Sequence, residues 1–198
     1  ALLPVLKLLA SVVPARHIYL VKTDLRPQRI SRIEAVGAVL RLIQASVAAY
    51  AAVVRARRED STLLAAQRVV TGKPGGRNTL YLNANLWFGV KAGGSIGHIS
   101  GVVNALLQEG YPVDFVSAGG RLLVSDAAKY VQLQPPAHFG LPWELNYYRF
   151  HFDVVKQIEQ LAGRHHYDLI YQRLSMANYS GVVLSRLLGI PLILEYNG

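Results

Sequence analysis

The sequence predicts an α/β fold, in which a parallel β-sheet carries helices on both faces and follows a helical, basic N-terminal region. Three observations predict it. From residue 79 onward, short apolar runs of strand length alternate with longer amphipathic segments. These runs are apolar at nearly every position, as in strands that are buried on both faces. The excess of basic residues lies only in the first part of the chain.

Composition excludes several classes of protein. The 198 residues are 52% hydrophobic and include no cysteine. A disordered chain is therefore excluded, and so are a disulfide scaffold, a cysteine-based metal site and a thiol nucleophile. Because the only methionine is Met176 and the chain stops at Gly198 after a strand-like run, we expect a piece of a longer protein.

The net charge of +9 divides the chain into two regions. Residues 1–77 hold 13 Lys and Arg against 4 Asp and Glu, whereas residues 78–198 hold 8 of each kind. The Gly- and Pro-rich run 71–78 predicts a linker at this division. No aromatic interleaving or base-reading motif accompanies the basic charge, so we expect no nucleic-acid partner.

The basic region predicts two helices. Residues 2–13 are mostly apolar and predict a docking helix; a signal peptide is the less favoured interpretation, because no basic segment precedes them. Residues 30–58 predict a long helix, because large apolar residues recur every three or four positions along one face. We call these residues the apolar stripe: Ile33, Val36, Leu40, Ile43, Val47, Tyr50 and Val54.

Three hypotheses account for the apolar stripe. In the favoured one, the stripe packs on protein and the basic face is solvated. In the second, residues 1–60 contact a membrane surface and the run 55–58 faces anionic lipid. In the third, the helix spans a bilayer, which Arg41 and Gln44 oppose because a central Arg costs about 3 kcal/mol on insertion scales.

The neutral region is predicted element by element from apolar runs and their Gly and Pro boundaries. A Gly-rich loop follows the first strand, and a Pro-rich loop precedes the long helix. Strands are predicted over 79–85, 112–116, 121–124, 168–172 and 191–196, and helices over 96–109, 143–162 and 175–188.

Parallel sheets of this kind bind ligands beyond the carboxyl ends of their strands, so the loops 86–95, 117–120, 173–178 and 197–198 are the candidate site. In the first loop, Gly93 and Gly94 precede a helix, where backbone N–H groups and the helix dipole attract an anion. Lys91 adds a full positive charge. The loop suits a diphosphate, although a turn that only needs glycine flexibility remains the alternative. With Gly97, the spacing is not that of a dinucleotide-binding fingerprint.

Four further residues stand near these ends. His98 lies one turn into the helix, where a packing or capping role competes with ligand contact. Arg173 follows a strand and would contact a phosphate or a hydroxyl, and Ser175 would cap the next helix. Glu195 ends the last strand, either paired structurally or aimed into the cleft. No catalytic triad, carboxylate pair or metal-ligand spacing is evident.

Three segments together resemble the N-terminal half of family-4 retaining glycosyltransferases, which have the GT-B fold. They are Leu80–His98, which contains Lys-Ala-Gly-Gly, Ile170–Gly181 and Gly189–Gly198. The resemblance covers residues 79–198 and implies a Rossmann-like domain that mainly binds the acceptor, opposite a donor-binding domain that this chain lacks. The fragment alone would then be inactive.

The resemblance also implies roles for individual residues. Gly93, Gly94 and Ser95 would bind the donor diphosphate with Lys91, which matches the lysine of the K-x-G-G loop of glycogen and starch synthases. The position where many relatives have a histidine near the sugar is Asn197 here, so Asn197 is the candidate catalytic residue and Tyr196 lies beside it. His98, Arg173, Ser175 and Glu195 are the other substrate-binding candidates.

The predicted function is transfer of a hexosyl group, with retention, from a nucleotide-sugar donor to a glycan or lipid-linked acceptor. Loops 134–148 and 173–178 would position the acceptor. The nucleotide-sugar is a substrate, and neither a metal nor another cofactor is implied. The alternatives are a non-catalytic nucleotide- or phosphate-sugar-binding module and a membrane-docking scaffold. We expect a cytoplasmic location, with peripheral attachment to the inner face of the membrane as an open alternative.

Overall fold

The computed structural model describes residues 12–14, 17–21, 26–65, 76–86 and 94–196. Most of the docking helix predicted over residues 2–13 and most of the linker predicted over 71–78 lie outside these ranges. The glycine loop also lies largely outside them, because residues 87–93 are not described.

A β-hairpin and one long helix make up the described part of the basic region. Strands β1 (Ile18–Val21) and β2 (Pro27–Ile30) pair antiparallel, and helix α1 follows over Arg32–Ala65. Ser31 and Glu34 exchange backbone-to-side-chain hydrogen bonds at the start of α1, which is the capping box that the sequence Ser-x-x-Glu encodes. The sequence predicted the helix but not the hairpin.

The remainder is a five-stranded, wholly parallel sheet with helices on both faces, so the predicted fold class is confirmed and the architecture is Rossmann-like. The strands lie in the order β5-β4-β3-β6-β7. Their bounds, with those of the helices between them, are β3 Thr79–Asn83, α2 Gly94–Gln108, β4 Val113–Ser117, β5 Lys129–Gln132, α3 Asn146–Ala162, β6 Leu169–Arg173, α4 Ser180–Leu188 and β7 Leu192–Glu195.

Two predicted elements were wrong. Residues 121–124 form no strand: Leu122 and Leu123 are exposed, and the third strand is β5, whose Tyr130 and Val131 lie beside β4. The helix predicted over 175–188 begins only at Ser180, because residues 174–179 form a loop held by a side chain of the sheet. Buried Gln172 accepts a hydrogen bond from the Gly181 N–H and donates one to the Asn178 carbonyl.

Apolar packing covers both faces of the sheet. On one face, α3 and α4 enclose a core around Leu80, Leu82, Phe150 and Ile170. On the other face, α2 covers a second core around Tyr81, Val103 and Phe115. Because all five strands run parallel, their carboxyl ends lie together at one end of the sheet.

Helix α1 packs on this unit through small residues rather than through the apolar stripe. Its buried residues are Ala35, Ala38, Leu42, Ala45, Ala49, Ala52 and Ala56, which we call the alanine face. The alanine face lies on the side of α1 that contacts α3. The favoured hypothesis, in which the apolar stripe packs on protein, was therefore wrong for the part of the chain that the structure describes: all seven stripe residues are more than half exposed.

Candidate functional site

All five strands of the sheet end in a polar residue, and these residues form one row. The register pairs Asn83 with both Ser117 and Arg173, pairs Ser117 with Gln132, and pairs Arg173 with Glu195. Residues in one register row of a parallel sheet point to the same face. The carboxyl edge therefore carries a continuous polar row on the face that α2 covers: Gln132, Ser117, Asn83, Arg173 and Glu195.

The half of the polar row on β5, β4 and β3 is joined by hydrogen bonds. Asn83 Nδ2 donates to Ser117 Oγ at 3.1 Å, and the same oxygen accepts from the Gly119 N–H at 3.1 Å. Gln132 Nε2 donates to the Ala118 carbonyl at 2.9 Å, and the Tyr130 hydroxyl donates to the Gly119 carbonyl at 2.7 Å. These bonds fix the turn that follows β4, so the side chains of this half are held in place before any ligand binds.

At the β6 and β7 end of the row, Arg173 and Glu195 form an ionic cluster with His98, centred on Glu195. Arg173 Nη1 lies 2.7 Å from Glu195 Oε1, and His98 Nε2 lies 3.1 Å from the same oxygen. The Glu195 side chain is only 9% exposed and the Arg173 side chain 16%. A carboxylate this buried needs compensating charge and hydrogen bonds. The sequence left open whether Glu195 is paired or faces the cleft; in the structure it is paired with Arg173 and His98 at the carboxyl ends of the strands.

Two stacked tyrosines lie beneath the cluster. The rings of Tyr81 and Tyr171 are 5.1 Å apart and nearly parallel. Burial raises the pKa of both phenols, and the negative charge of Glu195 raises it further. Both hydroxyls are therefore protonated near neutral pH, and the ionic cluster borders neutral aromatic side chains of the second core.

A cavity of about 120 Å³ lies between this row and the start of α2. Asn83, Asn85, Ser95 and Arg173 line it on the polar side, and Ile96, Ile99, Phe115 and the Gly119–Gly120 turn are among its other walls. Complete small-molecule sites measure roughly 300–1,000 Å³, so this cavity has room for one part of a ligand, such as a phosphate group or a sugar ring.

The cavity occupies the position at which open α/β sheets bind ligands. The connection from β3 runs to β4 on one side, and the connection from β6 runs to β7 on the other, so β3 and β6 flank the topological switch point. The exposed first residues of α2, Gly94 and Ser95, lie at this point. A helix N-terminus presents free N–H groups and about half a positive charge to a bound anion.

The predicted site residues have different outcomes. Ser95 and Arg173 line the cavity, and His98 and Glu195 lie beside it in the ionic cluster. Ser175 does not cap a helix, which corrects that prediction; its hydroxyl donates to the Ala84 carbonyl at 3.2 Å and ties the loop after β6 to the end of β3. Tyr196 is exposed. Lys91, Gly93 and Asn197 lie outside the described residues.

Sequence reasoning missed Asn83, Ser117 and Gln132 as site residues. The signal that identifies them is simple: each is the polar last residue of its strand. Among the residues that the structure describes, no three His, Asp or Glu side chains cluster in a way that would hold a metal ion.

No family model, curated protein or solved structure matches this chain. The resemblance to family-4 glycosyltransferases therefore stays a prediction that rests on the residues quoted for it. What the structure adds is the fold and the placement of four of the predicted residues around one edge of the sheet.

Proposed function

We propose that this chain is the acceptor-side part of a retaining glycosyltransferase that uses a nucleotide-sugar donor. The observation that carries the proposal is the polar row at the switch point, where Asn83 and Arg173 border a cavity at the N-terminus of α2. The resemblance of three sequence segments to family-4 enzymes supports the same assignment, because all three contribute residues to this edge.

The charges at the edge favour a diphosphate on the α2 side of the cavity. Arg173 is neutralised in large part by Glu195, which lies 2.7 Å away. The net attraction for an anion would thus come from the N-terminus of α2 and from Lys91, which precedes it by three residues. In glycosyl transfer, negative charge builds up on the departing diphosphate, and donors preorganised at that position stabilise the transition state.

The uncharged amides and hydroxyls would bind the sugar or the acceptor. Asn83, Asn85 and Ser95 offer both donors and acceptors of hydrogen bonds in the cavity wall. Hydroxyl-rich ligands need both kinds of group, whereas an anion needs donors alone. The loop 173–178 is tied to β3 through Ser175, which would hold it in place for acceptor positioning.

The test assays the protein for sugar transfer from UDP-, GDP- and ADP-sugars to glycan and lipid-linked acceptors. NMR determines the stereochemistry of the product. We expect transfer with retention from one donor class, and transfer that falls at least tenfold in Arg173→Ala. Binding of a nucleotide-sugar without any transfer would assign the protein to the non-catalytic alternative. Absence of binding to all three donor classes would overturn both assignments.

A further inference from the structure

Helix α1 presents two different surfaces on opposite sides. The alanine face is buried against the rest of the protein, whereas the apolar stripe is directed outward over 22 residues, from Ile33 to Val54. At a rise of 1.5 Å per residue the stripe is about 32 Å long. Ile33 is 86% exposed, and the other six stripe residues are 51–63% exposed. Soluble monomers seldom expose a continuous apolar surface of this extent without a binding role.

Contacts from the middle of the helix to its C-terminal end fix this orientation. Near its middle, Ser46 Oγ accepts a hydrogen bond from the Leu141 N–H at 2.8 Å. Gly140 approaches so closely that an added Cβ would lie 2.4 Å from the Ser46 Cα. Directly after the end of the stripe, the Arg55 guanidinium lies 4.0 Å over the Phe152 ring. A rotation of α1 that buried the stripe would break all of these contacts.

The C-terminal end of α1 is held just as firmly. Glu59 Oε2 lies 3.0 Å from Nε2 of His151, which is fully buried. Arg186, on α4, donates a hydrogen bond to the Leu63 carbonyl. The outward direction of the apolar stripe is thus a property of the packed protein and not of an isolated helix.

Basic residues surround the apolar stripe, and the acidic residues of α1 are mostly engaged elsewhere. Arg29 and Arg32 precede the stripe, and Arg57 and Arg58 follow it, all of them exposed. Of the three acids in α1, Glu34 caps the helix start and Glu59 contacts His151. The exposed face therefore combines apolar side chains in its centre with cationic side chains at both ends.

We infer that the apolar stripe of α1 docks the protein on the surface of an anionic phospholipid bilayer. Apolar side chains would enter the boundary between headgroups and acyl chains, and arginines at both ends would contact lipid phosphates. Charge complementarity selects this occupant, because a bilayer offers apolar and anionic groups side by side along the full length of the stripe. The inference does not depend on the proposed transferase activity.

By length and composition alone, the same helix is long and apolar enough to cross a membrane. The packing of α1 argues for docking on the surface instead. Its alanine face contacts α3, which carries Arg149, Asp153 and Lys156, and these would enter the hydrocarbon if α1 spanned the bilayer. A surface position leaves that interface intact.

The experiment is co-sedimentation of the 198-residue chain with two kinds of vesicle. One is phosphatidylcholine alone, and the other contains about 30% phosphatidylglycerol, which supplies the anionic headgroups. We expect binding to the mixed vesicles, weaker by at least tenfold with phosphatidylcholine alone. Two variants separate the apolar and ionic contributions. Leu40→Gln/Val47→Gln should weaken binding at least tenfold, and Arg57→Ser/Arg58→Ser should weaken binding to mixed vesicles about fivefold per arginine.

A matched control replaces exposed apolar residues outside α1. Met176→Gln/Leu187→Gln changes two exposed side chains of the Rossmann-like unit and should leave vesicle binding unchanged. Circular dichroism melting checks that all variants fold, which we expect because every changed residue is exposed.

Four outcomes would overturn the inference. The first is no binding to mixed vesicles at low salt, and the second is equal binding by the stripe variant and the native chain. The third is self-association that the stripe variant abolishes while vesicles are not bound, which would assign the stripe to a second copy. Resistance of the bound protein to alkaline carbonate extraction would assign it to a membrane span.

Discussion

Arg173 and Glu195 are register partners on neighbouring strands, and their side chains meet at 2.7 Å at the carboxyl edge of the sheet. Neither strand alone would keep its charged last residue so well buried. Because Arg173 and His98 compensate the charge of Glu195, a strongly polar site can lie beside the stacked rings of Tyr81 and Tyr171.

Glu195→Ala should destabilise the protein by about 3 kcal/mol, because removal of one member of a buried ion pair leaves the other charged and poorly solvated. Urea unfolding measures the loss. The control is Asp126→Ala, which removes a carboxylate that is 91% exposed and pairs with Arg121; it should cost less than about 1 kcal/mol. Equal losses in the two variants would show that the Glu195 pair is not structurally important.

Gly140→Ala should loosen the attachment of α1. The added Cβ would lie 2.4 Å from both N and Cα of Ser46, and backbone cannot move aside as a flexible side chain can. We expect a loss of about 1–3 kcal/mol in urea unfolding. Gly101→Ala is the matched control, because its Cβ would meet nothing within 4 Å on α2, and it should gain about 0.5–1 kcal/mol. A harmless Gly140→Ala would contradict the close contact between α1 and this loop.

His151 should make stability depend on pH in the mildly acidic range. Burial lowers the pKa of its imidazole below the ordinary 6.5, although the hydrogen bond and charge of Glu59 oppose the shift. Between pH 6.5 and the lower folded-state pKa, His151 is protonated in the unfolded chain but not in the folded protein. Part of the free energy of unfolding present at pH 7 is therefore lost as the pH falls toward the folded-state pKa.

The measurement is the free energy of unfolding at pH 7, 6 and 5 for the native chain and for His151→Phe, which keeps a ring against Tyr179. We expect the native chain to lose more stability over this range than the variant does. Parallel profiles would mean that His151 takes up its proton equally in both states.

Lys91→Ala should weaken the binding of nucleotide-sugar, if the loop before α2 holds the diphosphate as we propose. Loss of a full charge beside a helix N-terminus predicts at least a tenfold increase in Kd by calorimetry, at the donor that the transfer assay identifies. Lys129→Ala is the matched control. It removes a lysine at the start of β5, on the opposite edge of the sheet, where Lys129 lies 3.5 Å from Asp114. An unchanged Kd in Lys91→Ala would remove this loop from the site.

The α/β fold could be predicted from sequence because the strands of a parallel sheet are buried on both faces and are therefore apolar at most positions. The pattern failed where burial did not follow hydropathy. Residues Leu122 and Leu123 look like part of a strand but are exposed, whereas the true third strand contains Lys129, Tyr130 and Gln132, which are polar enough to suit an edge.

Helix α1 shows a different limit of sequence reasoning. The heptad-like spacing of large apolar residues correctly predicted a helix, but not which side is buried. Alanine on the opposite side allowed a closer approach of backbone, with Gly140 against Ser46. Periodicity reports that a face is apolar; whether protein or something else covers that face depends on contacts between segments about 95 residues apart, as for Ser46 and Leu141.

The site was predictable to the extent that its residues follow strands. Arg173 could be singled out because it follows a predicted strand, and Glu195 because a charge at the end of a buried strand is unusual. Their mutual pairing depends on β6 and β7 being neighbours in register. Asn83 and Ser117 carry no charge and attract no notice until the register places them side by side.

The polar row has a consequence for how this edge of the sheet can change by mutation. Because successive side chains of a strand alternate between faces, inserting one residue into β6 would turn Arg173 toward α3 and α4 and bring a different residue to the cavity. A substitution changes one residue of the polar row, whereas an insertion or deletion within a strand would turn its polar end residue to the other face of the sheet. Length variation in this protein should therefore be confined to its loops, and strand length should behave as a fixed quantity even where strand sequence varies.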